Sequence, residues 1–146
     1  MTRTQNLRAE HQTASTTPRH RAWLNQSREE ILDPAREIID PHHHLWRTSG
    51  LPEYVLADLW EDTQSGHNIV KTVFMECGAE YRDSGPNHLK PVGETEFVRA
   101  TASASAMHGK AEIAGIVAHA HLDMDVGLLK ETLQAHEAAG DGLFKG

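Results

Sequence analysis

Apolar runs rich in β-branched residues alternate along this chain with stretches whose apolar residues recur every three or four positions. The segment Glu37-Ile38-Ile39-Asp40-Pro41-His42-His43-His44-Leu45-Trp46 starts apolar and turns polar, which predicts a buried strand ending near His44. Tyr54 to Gln64 places Val55, Leu56, Leu59 and Trp60 on one side of a helix, and Ser65-Gly66 stops it. Asn68 to Cys77 predicts a second strand, again apolar first and polar last. Gly78 to Gly93 is a loop well beyond the usual ~2–6 residues of a βα connection, the length of a functional loop. Glu94 to His108 is an alanine-rich helix, and Glu112 to His121 a third strand with the same polar finish. Asp125 to Ala139 is the next helix, ended by Gly140, and Leu143-Phe144-Lys145 opens a fourth strand.

The order β-α-β-α-β-α-β with near-continuous apolar strands predicts an α/β fold, a parallel sheet covered by helices, either doubly wound or a barrel. In both architectures functional groups collect at the C-terminal strand ends. Three successive strands here end in His42/His44, Glu76 and His119/His121. Upstream, residues 1–18 read as a disordered polar tail and 19–35 as a short helical extension closed by Asp33-Pro34, leaving 36–146 as the α/β region.

Composition narrows the function more than the fold. The 146 residues suit one domain, and 38% apolar with 24% charged residues describes a globular chain. No apolar run approaches the ~20 residues of a membrane-spanning helix. A net charge of −7 without a basic face argues against nucleic acid as a partner. Cys77 is the sole cysteine, so no intrachain disulfide forms, which fits a cytoplasmic setting. Eleven histidines, three of them consecutive, make histidine the place to look for chemistry.

Side chains alternate faces along a strand, so Asp40, His42 and His44 are expected on one face and His43 on the other. Two imidazoles at that spacing can reach one ion at the ~2.0–2.1 Å of zinc–nitrogen bonds. A catalytic site needs at least one more His or carboxylate and an open position for water. Ordinary hydrogen-bonded surface or core histidines, a chance run or an unrelated metal-sticky patch explain the spacing equally well.

The run Ile38 to Trp46 resembles the first-strand signature of the amidohydrolase superfamily, and within it the amidohydrolase-related group of TIM-barrel metal-dependent hydrolases. Val73-Phe74-Met75-Glu76-Cys77-Gly78-Ala79-Glu80-Tyr81-Arg82, Pro91 to Val98 and Gly142-Leu143-Phe144-Lys145-Gly146 resemble the same group, so the resemblance covers about Ile38 to Gly146. It implies an incomplete (β/α)8 barrel, the first three βα units plus the start of strand four, against the ~250 residues of a full barrel. It further implies that His42 and His44 bind a divalent metal, zinc first, with manganese as an alternative or metal-independent action in some lactonases. The remaining ligands and the general base belong to later strands in that superfamily.

Glu76 is a catalytic or substrate-positioning carboxylate, against a solvated or ion-paired one. His119 and His121 share a face with Asp123 and are expected to line the pocket rather than ligate. Lys145 and Arg82 are candidates for binding an anionic substrate, as is His88, although most such charges are only solvated. Cys77 reads as a small apolar residue rather than a nucleophile. No Gly-x-Gly-x-x-Gly, P-loop or Gly-x-Ser-x-Gly sequence is present. The expected activity is hydrolysis of a lactone or other cyclic ester or amide of a small molecule by metal-activated water. Decarboxylation of an aromatic or unsaturated acid is the alternative enzyme, and a catalytically incompetent, self-associating half barrel that at most binds metal is the alternative of another class.

Overall fold

The β-branched runs do form strands. The computed structural model describes residues 22–23, 26–27, 29–47 and 53–146. Strands β1 (Glu37–His43), β2 (Asn68–Met75) and β3 (Glu112–Val117) form a parallel sheet in the order β1-β2-β3. Helices α1 (Leu56–Thr63), α2 (Val92–Ser105) and α3 (Val126–Gly140) alternate with them, and a 3-10 turn spans Asn87–Leu89. The predicted fourth strand begins where expected. Ile116 donates its N–H to Leu143 O at 2.8 Å, Lys145 donates to Ile116 O at 2.9 Å, and Ala118 donates to Gly146 O at 2.7 Å. Phe144 thus makes a parallel bridge to Ile116.

The core lies between sheet and helices. Leu45, Leu59, Phe74, Val98, Ala102, Ile113 and Ile116 form one buried cluster, drawn from β2, β3, α1, α2 and the segment just past β1. Burying a side chain of this kind stabilises by about 1.5–3 kcal/mol. Tyr54 is not in α1 as expected. It exchanges two 2.9 Å backbone bonds with Trp46 and stacks on its ring, so the helix starts one residue beyond Val55. Asp58 Oδ2 accepts the Val55 N–H at 2.9 Å and fixes that start. The first turn of α2 lies so close to the long loop that a Cβ at Gly93 would sit 2.6 Å from Glu80 O and 2.7 Å from Arg82 N. Only glycine permits that approach.

Three expectations are corrected. The 19–35 extension is helical only at Ala22 and Trp23 among the described residues, while Glu29 to Asp33 are not helical. Leu32 is 96% exposed there, so no apolar face packs to offset the cost of nucleating a short helix. The tail 1–18 lies outside the described residues. The strands also end early, β2 at Met75 instead of Cys77 and β3 at Val117 instead of His121. Finally, Asp40 pairs with Thr72 and His43 with Phe74, three steps on β1 against two on β2. That extra residue is a bulge, and it puts Asp40 out of phase with His42 and His44.

Candidate functional site

A parallel sheet aims all its strand ends the same way, so the residues after β1, β2 and β3 share one edge. At the end of β1 the bulge turns His42 and His44 toward each other. Their Nε2 atoms are 3.1 Å apart and their rings meet edge-on, with centroids 4.9 Å apart. The Asp40 carboxylate accepts the His42 backbone N–H at 3.0 Å and holds the bulge. His44 Nδ1 lies 2.8 Å from the carbonyl of Met75. A carbonyl only accepts, so His44 Nδ1 carries the proton and its Nε2 presents a lone pair. His42 Nε2–H is then the donor of the 3.1 Å bond.

His43 points the other way, as alternation requires. It is 7% exposed and packs edge-on against Phe74 with centroids 5.7 Å apart. Burial pushes its pKa down to about 4, so the ring is neutral and serves the core.

The donor chemistry of His42 and His44 fits a divalent ion once the ion replaces the hydrogen between the rings and His42 carries its proton on Nδ1. Nitrogens 3.1 Å apart would subtend roughly 95–102° at an ion bound to each at zinc–imidazole length, between octahedral and tetrahedral angles. The Met75 carbonyl behind His44 is the type of outer partner that orients a metal-bound imidazole. The fit is to one edge of a coordination shell. Among the described residues no group of three or more His, Cys, Asp or Glu is arranged to hold an ion.

No family model, no curated protein and no solved structure matches this chain.

At the next two strand ends, Glu76 and His119 come together. Glu76 donates its backbone N–H to Val117 O at 3.0 Å, and its Oε1 lies 3.8 Å from His119 Nδ1. His119 and His121 meet edge-on with ring centroids 4.7 Å apart. Glu76 and His119 are half-buried and His121 is exposed, so the group faces a solvent-reachable edge.

Other sequence candidates lie elsewhere. Arg82 is engaged by Glu96 through Nη2–Oε1 and a 3.2 Å Nε–Oε2 bond. It lines a cleft of about 690 Å³ between α1 and α2, together with Arg47, Glu53, Glu96 and Phe97, and none of the candidate histidines reaches that cleft. Lys145 Nζ turns back onto Gly142 O at 2.7 Å. His88 pairs with Glu131 of α3 at 2.9 Å, tying the loop to that helix. Cys77 is exposed just past β2, not buried at its end. Partial desolvation, with the Glu94 carboxylate beside it, pushes the Cys77 thiol up to about 11, which opposes a nucleophilic role.

Two residues not singled out from the sequence bear directly on the site. Glu94, 2% exposed, accepts from Cys77 N at 3.1 Å and Ala79 N at 2.8 Å, and so fixes the loop that follows Glu76. Burial raises its pKa. His136, 1% exposed, bonds Thr95 Oγ1 at 2.8 Å and the carbonyl of His119 at 3.1 Å. Thr132, His136 and Gly140 are the buried residues of α3 and recur every four positions. That spacing was the available signal, but the three side chains are not a conventional apolar stripe.

Proposed function

We propose that this sheet belongs to a (β/α)8 barrel of the amidohydrolase-related type and serves a metal-dependent hydrolase of lactones or similar cyclic esters. The observation that carries the reading is the His42/His44 pair, two Nε2 atoms 3.1 Å apart with the His44 Nδ1 proton spent on Met75 O. The strand order and the start of a fourth parallel strand are compatible with that barrel. His42 and His44 would hold the ion, which when bound polarises a carbonyl and acidifies water. Glu76 and His119, on the same edge, would orient a small substrate or pass a proton at Glu76 Oε1 and His119 Nδ1. Further ligands and the base would come from later strands of the barrel.

The test is zinc and manganese content after equilibration and desalting, with lactone hydrolysis followed on the same samples. One bound ion per chain, lost in H42A/H44A, is the expected result. Metal content unchanged by that pair of substitutions refutes ligation by these histidines. A second reading, a chain that binds metal without turnover, is favoured by the lack of a third ligand among the described residues. Bound metal with no lactone hydrolysis would select it.

A further inference from the structure

We infer that His136 is a positioning residue that holds the His119–His121 segment at the candidate site in place of strand pairing. The inference rests on the reading of Glu76 and His119 as substrate-facing groups. β3 ends at Val117, and among the described residues the bond from Ala118 N to Gly146 O is the last ladder contact beyond it. Beyond it the chain carries two side chains whose relative placement matters, His119 against Glu76 and His119 against His121. A fixed 118–121 backbone therefore needs another anchor.

His136 supplies one from α3. Its Nε2 faces the His119 carbonyl, an obligate acceptor, so Nε2 carries the proton. Nδ1 is then the lone pair that receives the Thr95 hydroxyl proton from α2. The ring is stacked on Phe144 at 5.6 Å and 19°. It is thereby clamped by α2, the end of β3 and the fourth-strand segment at once. Gly140 makes room, because a Cβ there would lie 2.7 Å from Phe144 Cβ. Fixing the His119 carbonyl fixes the peptide plane that joins His119 to Ala120, between the two imidazole-bearing residues. The charged groups around this array are Glu76 after β2, His121 on the same segment, and Arg82 from the loop, whose positive charge His136 feels.

The test uses the full chain, isotopically labelled, with NMR of the histidine rings at pH 7.5. H136Q keeps a donor that can reach the His119 carbonyl, and H136L removes it. The expected result is that H136L shifts the His119 and His121 ring signals and loses the nuclear Overhauser contact between them, while H136Q retains both. A folded H136L with unmoved signals and the contact intact overturns the inference. Should H136L not fold, T95V, which removes only the partner of Nδ1, takes its place. Shifted His119 signals support the clamp and unshifted ones refute it. Zinc titration of the unsubstituted sample reads His42 and His44 separately, so failure of the metal reading is distinguishable.

Discussion

Two histidine pairs with the same i, i+2 spacing stand at strand ends of this protein, and their surroundings make them different devices. His42 and His44 turn their Nε2 atoms together, with a carbonyl behind one ring. His119 and His121 have rings just as close, but the neighbour of His119 Nδ1 is the Glu76 carboxylate and its backbone is held from a helix. A carbonyl partner fixes which nitrogen is bare, the requirement of a ligand. A carboxylate 3.8 Å from His119 Nδ1 instead sets an acidic group beside the second pair. Spacing brings imidazoles together; the partner behind them decides their chemistry.

The largest expected effect comes from the loop that follows Glu76, the carboxylate beside the second pair. Glu94→Ala leaves the Cys77 and Ala79 N–H groups without their acceptor and should cost about 3 kcal/mol by urea unfolding. Glu94→Gln keeps a carbonyl acceptor and removes a carboxylate that burial already disfavours, so at pH 7 it should be neutral or stabilising. If Gln is as damaging as Ala, a charged carboxylate is required there.

A smaller effect concerns pH. Burial lowers the pKa of His136 in the folded state, below the ordinary value near 6.5. The unfolded chain then binds that proton more tightly, so this contribution to stability is present above about 6.5 and lost as pH falls through the folded value. His136→Gln should flatten the fall in stability between pH 7 and 5. Glu94 acts with the opposite sign, since its raised pKa stabilises below about 4.5 and is lost as pH rises through its folded value, and Glu94→Gln separates the two. An unchanged slope in His136→Gln would show that His136 does not carry this linkage.

The smallest effect is the sharpest test of the comparison. His119→Ala/His121→Ala should leave zinc content at the level of the unsubstituted chain, because among the described residues neither is grouped with His42 and His44 to hold an ion. Loss of zinc in that variant would make the two pairs one site and end the distinction.

Much of this was legible along the chain. The β-branched runs at Ile38, Ile69 and Ile113 and the helices between them emerge from short-range periodicity, which reports burial without reference to the fold. The C-terminal His-x-His ends and Glu76 followed from the same pattern. Where a strand stops was not legible, because pairing ends when the neighbouring strand diverges, and the run to His121 still reads as apolar and polar residues in order. The bulge between Asp40 and His43 likewise comes from fitting β1 against β2. Glu94 and His136 were invisible as site residues for a related reason. One looks like an ordinary acidic first turn and the other like a polar interruption of a helix, until α2 and α3 pack on the sheet.

The sequence alone determined the α/β alternation, the strand cores and which end of the sheet bears the histidines, since these depend on local burial patterns. Tertiary structure decided that His42 and His44 meet while Asp40 does not join them, and that His119 is clamped by a histidine seventeen residues away. Those outcomes depend on hydrogen bonds between separate elements, whose partners are set only when the elements are packed together.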